Sequence, residues 1–590
     1  MGVRWKGGCT LTKLFVENKM LKIKGQKKDP IVPPLTISAL YDLSSFRHQK
    51  NVVVNQKEFD FTRRELKHDR KVVARAFLAL GVKKGDVILV ATGRSMYENV
   101  LIFLAANKIG AIVSYLDEKT PRDTLLHYIE EFQAKVVVTY KYSDKRIKEL
   151  KRDAKIIKTV INLDGAIIDA GDVDEEQTEE ITMSALDHIF VGKQTVLKFA
   201  EKFHGRVPLG IFGGKKEALI SFTSGSTSGP KPMVFTNTNL TSAALFSKAA
   251  SGIKMWDKVV RTWFSFVKFD CPYGFWTSVM TPIIGGSSVI LTPDLDENNM
   301  EYYFSKDISV VQAVPLLFDS LPKALPEDFD LSSVKMCISG GERLEKQASE
   351  ATAEFFKAHG ADVKMCNGYG VGECLGSITV AVGATYRPDT VGKVVPGTHV
   401  MVVDPETDEE VGFSKTGILY VSGKHVLSRY FNRPELDEEK IKMVGRRKFV
   451  KTGDLASVSE TGFVSLVGRA TFFINTVPAK VYYEVVRSAV AKSDLVARCY
   501  VVKMPDKKLG FSSCAFVVPK EGVGRNRDTR REIMKTATEP FYLGKRKITL
   551  KSYEIPREVV FLDELPLTRA NKTDFRKLER MAKEIAERKS

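Results

Sequence analysis

The chain lacks any CxxC pair. Its seven cysteines, at positions 9, 271, 337, 366, 374, 499 and 514, are odd in number and scattered. That excludes a disulfide framework and a zinc knuckle, and it suits reduced, buried thiols in a cytoplasmic protein. No apolar run approaches the roughly 20 residues that a membrane-spanning helix takes, so no membrane span is expected. The basic start, Met1 to Thr10, has no apolar core, which excludes a secretory signal. Lys6 stands where a myristoylated terminus needs Ser or Thr. The phosphate motif GxxxxGK[ST] is missing as well. Gly225 is followed by Gly229, Pro230 and Lys231, which excludes a Walker-type NTPase. Acidic residues are outnumbered, 72 against 90 Lys and Arg, for a formal charge of +18. Nucleic-acid binding needs such an excess gathered on one surface with a recognisable motif. Here it is spread along the chain, so no nucleic-acid partner is expected, and attraction of small anionic ligands is the better use for it.

What is present describes a multidomain α/β protein. With about 150 residues per domain, 590 residues make roughly four units. Residues 1–35 are Lys-rich without a clear period and read as a basic N-terminal extension. Val52 to Val54 is a short apolar run, followed by Phe59 and Phe61 in alternation. Leu66, Val73, Phe77 and Leu80 then share one helical face, and Gly81 ends that helix. Asp86 to Val90 predicts a buried strand, Tyr97 to Ile109 a helix, and Ala111 to Tyr115 a strand. A helix over Leu125 to Phe132 leads to a strand over Val136 to Tyr140. This alternation implies a parallel sheet. Residues 141–215, polar and with an acidic stretch at 172–180, read as surface connections. Further strands are expected at Ser288 to Leu291, Val334 to Ser339, His399 to Val403, Leu419 to Val421, Cys499 to Val502 and Cys514 to Val518. A closing helix is expected over Phe575 to Ile585, which is rich in strong helix formers. A domain boundary is expected near residue 468.

The segment from Ser221 to Val234, SFTSGSTSGPKPMV, is the most informative. It follows an apolar run and breaks into Gly, Ser and Thr before Lys231. Small residues let backbone amides converge on an anion, hydroxyls add donors, and a lysine adds a mobile positive charge. A flexible linker does not normally sit directly after a buried strand and end in Pro-Lys.

TSGSTSGPK, residues 223–231, resembles the phosphate loop of the adenylate-forming superfamily of AMP-binding enzymes, which includes acyl-CoA synthetases, peptide-synthetase adenylation domains and luciferases. Other motifs follow in the family's order. Leu80 to Asp86 (LGVKKGD), with Gly110-Ala111, resembles its N-terminal subdomain. Ser339 to Leu344 (SGGERL) resembles the glycine turn near adenine, Asn367 to Glu373 (NGYGVGE) its YGxTE motif, and Lys451 to Leu455 (KTGDL) its TGD motif. Gly468-Arg469 resembles its hinge, and Pro566 to Arg576 (PLTRANKTDFR) its C-terminal PxTxxGKxxR. The resemblance implies a large N-terminal adenylation domain over 36–468, made of two α/β subdomains and a small β-barrel. A small α+β lid over 469–590 would rotate between two half-reactions.

The same resemblance implies the site. Thr223, Ser224, Gly225 and Ser226 would cradle phosphates, with Thr227 and Lys231 acting on the reacting groups. Gly341, Glu342 and Gly370 would border adenine and Tyr369 would stack on it. Asp454 would accept both ribose hydroxyls, which suits a two-oxygen acceptor, with Arg469 beside it. Glu373 would hold Mg²⁺, a hard cation that favours carboxylate and phosphate oxygens. Lys572 would stabilise the charge that develops as the acid attacks the α-phosphate of ATP.

Several positions depart from the pattern: Ser228 and Pro232 for glycines of the phosphate loop, Gly372 for the Thr of YGxTE, and Thr471 at the hinge. Pro478 and Val485 replace a Gly and a Glu around a fitting Lys480-Val481-Tyr482, and Asn571 replaces the Gly before Lys572. Phe269 and Asp270 fall where the substrate pocket is expected. Asp270 is either an ammonium partner, as in an amino-acid ligase, or a hydrogen-bonded turn residue. Gly274 and the TPIIGG run of 281–286 fit the acyl-CoA synthetase pattern better. The implied reaction is ATP-dependent activation of a carboxylic acid with release of pyrophosphate, then transfer to a thiol. That thiol is CoA or the phosphopantetheine of a carrier protein. A nucleotide-binding protein without turnover is the alternative of another class.

Overall fold

The computed structural model describes residues 22–46, 48–56, 59–163, 190–191, 205–223, 230–251, 261–265, 267–293, 299–342, 344, 346–387, 390–470, 473–476, 480–543, 546–567 and 573–589. Two large sheets dominate. The first has eight strands, with Val87–Val90, Ile112–Tyr115, Val136–Tyr140 and Thr159–Leu163 parallel near its middle. The hairpin Glu217–Phe222 and Pro232–Thr236 lies toward one edge, capped by Arg429–Tyr430. The second has nine strands, of which Val52–Gln56, Thr262–Ser265, Ser288–Leu291, Val310–Ala313, Met336–Ser339 and Lys364–Tyr369 are parallel neighbours. A five-stranded antiparallel sheet, built on the long strand Arg447–Val458, stands where the small barrel is expected. Among the described residues, no strand after Arg469 pairs with one before it. The C-terminal residues form a separate three-stranded sheet with the helices Tyr483–Ala491, Arg527–Thr538 and Phe575–Lys589.

The early βαβ reading holds in its order of elements, with some ends shifted: the helix expected over Leu125 to Phe132 runs over Arg122–Glu131, and the strand expected from Asp86 starts at Val87. The helix Arg63–Ala79 starts in a capping box, in which the Thr62 hydroxyl accepts from Glu65 and the Glu65 carboxylate accepts in return. It ends at Gly81, whose φ of 76° lies in the left-handed region. The helix Tyr97–Ile109 runs as expected and is buried on nearly every side.

The reading of 141–215 as mere surface connection is corrected. Asp144–Asp153 is a helix, opened by the Ser143 hydroxyl accepting from Arg146, and Thr159–Leu163 extends the parallel sheet. The charged outer face of that helix hides its inner contacts, Ile147 and Leu150, which are buried. The acidic stretch of 172–180 lies outside the described residues. The N-terminal extension is pinned from residue 22 onward. Lys24 N–H donates to the Glu460 carbonyl at 2.8 Å, and Gln26 Nε2 donates to the Thr398 carbonyl at 2.8 Å.

None of the six described cysteines is in a disulfide, and five of them are buried. No helix among the described residues is long and apolar enough to cross a membrane.

One buried group gives the fold a pH dependence. His425 is fully buried against Phe246, and burial pushes its pKa down to about 3. The folded state therefore keeps it neutral while the unfolded chain, titrating near the usual 6.5, takes up a proton as pH falls. Stability from this group is complete above about pH 6.5 and is lost progressively toward pH 3. At pH 5 the loss is about 2 kcal/mol relative to pH 7.5. Denaturant titrations at the two pH values should show a smaller loss for His425→Asn than for wild type. Equal losses would show that His425 does not titrate in this way.

Candidate active site

The sequence alternation of the nine-stranded sheet builds the floor of a cavity of about 600 Å³. In a strand, every second side chain faces the same way. The register pairs Trp263 with Val310, Gln312 with Ile338, Ile338 with Cys366, and Cys366 with Val382. Trp263, Gln312, Met336, Ile338, Cys366 and Val382 therefore share one face, and all line the cavity. Burial pushes the Cys366 thiol up to about 12, so it stays protonated there. The roof comes from the helix Asn237–Ser251 and from the wide π-turn Tyr273–Met280 with the helix Thr281–Gly285 that continues it.

At the C-terminal ends of these strands the wall becomes polar and charged. Thr223 and Lys231 close the two ends of the loop between the hairpin strands. Thr223 N–H donates to the Lys231 carbonyl, and Lys231 N–H donates to Thr223 Oγ1, each at 3.1 Å. Tyr128 Oη donates to the Pro230 carbonyl at 2.8 Å. Glu373 sits in the 3₁₀ turn Gly372–Cys374, and its Oε1 accepts from Tyr430 Oη at 2.8 Å. Leu427 N–H donates to the Glu373 carbonyl at 2.7 Å. The cavity also takes in Lys440, Lys451 and Glu439. Lys440 beside Glu439 holds its carboxyl below the usual range, and Lys231 and Lys451 add to the effect.

A second charged group stands opposite. Asp454 is 6% exposed. Its Oδ2 accepts from Tyr369 Oη at 2.5 Å, and Arg469 Nε lies 2.8 Å from its Oδ1. Burial raises the Asp454 pKa against the opposing pull of Arg469 and the Tyr369 hydroxyl. Burial and the Asp454 charge both push the Tyr369 phenol well above its ordinary value, so it serves as a donor. Arg469 also donates to the Thr452 carbonyl at 3.2 Å. Gly340 and Gly341 border the same space. Glu342 beside them accepts the Thr573 N–H at 3.0 Å. Thr573 in turn bridges Leu567, which brings Leu567 near this turn as well.

The structure thus brings Thr223, Lys231, Gly341, Tyr369, Gly370, Glu373 and Arg469 to one cavity wall, with Asp454 and Glu342 bonded directly behind it. Ser224, Gly225, Ser226, Thr227 and Lys572 lie outside the described residues, as do the departures Ser228, Thr471, Pro478 and Asn571.

The substrate-pocket residues need correction. Phe269 is 1% exposed and packs edge-on against Tyr115 and Phe275 in the core. Gly274 is pressed against backbone, since a Cβ there would lie 1.8 Å from the Lys268 carbonyl oxygen. Neither these two nor Asp270 lines the cavity. Their neighbours Cys271, Pro272, Tyr273 and Thr277 do. A turn followed by a π-helical stretch rotates the facing side chains, which linear spacing does not reveal.

Sequence reasoning also missed Tyr430, Trp263, Gln312 and Lys451. Lys451 was within reach, being the first residue of the KTGDL segment. Tyr430 was not, because it reaches Glu373 only through edge pairing with Pro232–Thr236. The departures that the structure describes are accommodated. Pro232 opens its strand, where a missing N–H is tolerated. A Cβ at Gly372 would lie 2.9 Å from Met233 Cε, so Met233 fills the space a larger side chain would need. Val485 joins the helix Tyr483–Ala491 and packs on the C-terminal core.

Comparison with known proteins agrees with this geometry. The AMP-binding enzyme family matches residues 44–431, and the AMP-binding enzyme C-terminal domain matches 486–572. Luciferin 4-monooxygenase of Photinus pyralis is 26% identical over 509 residues, covering 86% of each chain. The probable CoA ligase CCL5 of Humulus lupulus is 24% identical, covering 80% of this chain and 81% of its own. Among solved structures, the anthranilate CoA ligase AuaEII in complex with anthranoyl-AMP superimposes with a TM-score of 0.77 at 19% identity, over 95% of this chain and 99% of its own. That likeness shows the fold: a large N-terminal and a smaller C-terminal α/β domain.

Proposed function

The chain belongs to the AMP-binding enzyme family of the adenylate-forming superfamily, and from that membership we propose that it activates a carboxylic acid with ATP, releasing pyrophosphate, and passes the acyl group to a thiol, CoA first among the candidates. The observation that carries the proposal is one cavity holding a Thr223/Lys231 loop closure, the Glu373 carboxylate and the Tyr369–Asp454–Arg469 cluster around an apolar floor. Lys231 and Lys451 supply positive charge for a triphosphate. Asp454 offers a two-oxygen acceptor for vicinal hydroxyls, on exchange of the Tyr369 hydrogen bond. The floor takes the acyl chain. Cysteines outside disulfides suit a reducing, cytoplasmic setting.

Glu373 fits Mg²⁺. Glu373 lines the cavity with Tyr430 bonded to its Oε1, and a single carboxylate plus phosphate oxygens is a common Mg²⁺ set. The ion would neutralise phosphate charge there. The Tyr430 hydroxyl fixes the carboxylate rotamer, and Lys231 adds a donor from the facing loop. In the first half-reaction a carboxylate oxygen attacks the α-phosphorus and pyrophosphate leaves. In the second, a thiolate attacks the acyl carbon and AMP leaves. We assign the domain division near residue 468, with Lys572 on the C-terminal side. The Glu342–Thr573 hydrogen bond supports Lys572 acting in the first step.

The test is pyrophosphate release from ATP and Mg²⁺ against short, long, aromatic and amino acids, with and without CoA. Acid-dependent release that rises with CoA is expected. Glu373→Gln should raise the Mg²⁺ concentration for half-maximal rate about tenfold, the cost of one charged ligand of roughly 1.4 kcal/mol. An unchanged Mg²⁺ requirement would remove Glu373 from that role. The packing of Met233 where a phosphate-facing hydroxyl is common favours one rival, a nucleotide binder without turnover. ATP binding without release under any acid would establish it. Asp270 lies off the cavity wall, so nothing there favours an amino acid, while a carrier-protein pantetheine remains the alternative acceptor.

A further inference from the structure

Three basic residues in a row, Arg446 to Lys448, would ordinarily make a solvated turn. Arg446 and Arg447 are exposed, but Lys448, second in the long strand Arg447–Val458, is half-buried. Its Nζ donates to the Leu427 carbonyl and, at 3.0 Å, to the Ser428 carbonyl. Burial works against this ammonium, and the Asp437 carboxylate works for it. Its charge is also felt at Cys374, the residue after Glu373.

The two carbonyls belong to the segment that holds Glu373. Leu427 N–H donates to the Glu373 carbonyl at 2.7 Å, and Tyr430 Oη donates to Glu373 Oε1 at 2.8 Å. The segment's other N–H groups are spoken for. Ser428 N–H donates to the Val234 carbonyl at 2.8 Å, Tyr430 N–H to Asp437 Oδ1 at 2.9 Å, and Phe431 N–H to the Pro232 carbonyl at 2.9 Å. Leu427 is fully buried, so its carbonyl is costly to leave unmet. Lys448 meets it from a different sheet, the five-stranded one.

Resting on the reading of Glu373 as the cation ligand, we propose that Lys448 is a positioning residue of the cation site. It fixes the backbone of Leu427 and Ser428, and that segment in turn fixes Glu373 at its carbonyl and at its carboxylate. One peptide carries the coupling most directly: Leu427 takes the lysine on its C=O and gives its N–H to Glu373. Without the ammonium the segment stays stitched to Pro232–Thr236 but loses its hold from the far side.

The experiment titrates Mn²⁺ into the full-length chain with a non-hydrolysable ATP analogue and follows the free ion by electron paramagnetic resonance. Groups that hold a metal ligand in place typically carry ten- to a hundredfold in metal affinity. Tyr430→Phe, which removes only the hydroxyl on Glu373, should weaken Mn²⁺ about tenfold. Lys448→Met, one bond further out, should weaken it about fivefold. Because both act through one segment, the double variant should fall well short of the roughly fiftyfold that independent effects would give. Lys448→Arg, which keeps the charge and the donors, should recover part of the affinity. Lys442→Met, whose Nζ is bonded to Asp408 instead, should bind Mn²⁺ like wild type. Unchanged affinity in Lys448→Met, or effects that multiply in the double variant, would overturn the inference and leave Glu373 as the ligand. A wild type without nucleotide-dependent Mn²⁺ binding would overturn the cation reading of Glu373 and this inference together. Should Lys448→Met fail to fold, Lys448→Gln, which keeps an amide donor but no charge, is read in the same way.

Discussion

Replacing Lys572 by alanine is expected to slow pyrophosphate release about a hundredfold and to leave ATP affinity within a few-fold of wild type. Attack of the carboxylate oxygen on the α-phosphorus accumulates negative charge on the phosphorus oxygens and on departing pyrophosphate. A positioned ammonium meets that charge at no reorganisation cost. Removing one such donor costs about 3 kcal/mol of barrier, which is roughly a hundredfold. Lys572 itself falls outside the described residues. The frame around it is described: Leu567 and Thr573 bridge, and Thr573 N–H is anchored on Glu342, next to Gly340 and Gly341 on the cavity wall. Single-turnover pyrophosphate release, set against ATP binding measured separately, distinguishes the outcomes. A fall of less than about threefold would remove Lys572 from the reaction.

Gly370→Ala should abolish measurable activity and lower the melting temperature. A Cβ at that position would stand 1.1 Å from the Gly376 carbonyl oxygen and 2.1 Å from its carbon. Both contacts are with backbone, so no rotamer change relieves them, and the segments must part. What parts is the turn of 371–376, closed by Cys374 N–H and Gly376 N–H donating to the Val371 carbonyl at 3.0 and 3.3 Å. That turn carries Glu373, and Tyr369 precedes it. One methyl group therefore displaces the proposed cation ligand and the tyrosine bonded to Asp454 together. Gly412→Ala is the matched control, since a Cβ there meets nothing within 4 Å. Wild-type activity in Gly370→Ala would show that the turn can relax without moving Glu373.

Much of the architecture was legible because it is written in local periods. The strands and helices from Val52 to Tyr140 follow apolar spacing and caps almost to the residue, as do the strands Ser288–Leu291 and His399–Val403. The segment after Tyr140 was misread because the charged surface of Asp144–Asp153 outweighs two inward residues, and polarity masks a short amphipathic helix. Thr223, Lys231, Tyr369, Glu373 and Arg469, which the structure gathers at one cavity, stand in the sequence within short motifs. The acyl side does not. Trp263, Gln312, Ile338 and Cys366 are neighbours across four strands, and their adjacency is a matter of sheet order that a linear reading does not contain. Phe269 and Gly274 were sound as landmarks and wrong as wall residues, because the π-turn that follows them turns their neighbours inward instead.

The short strand Arg429–Tyr430 pairs with Pro232–Thr236, the strand that Lys231 directly precedes, while Tyr430 holds Glu373. Lys231 and the hydroxyl that holds the Glu373 carboxylate are thus mounted on a single chassis, the edge of the eight-stranded sheet. The opposite flank of the site is touched by the C-terminal residues through Thr573 at Glu342, with Arg498 facing Asp319 at 3.8 Å. If the C-terminal part pivots between half-reactions, the spacing between Lys231 and the Glu373 carboxylate is carried along unaltered. The triphosphate would then be gripped in a fixed vice while the tools brought to its other side are exchanged.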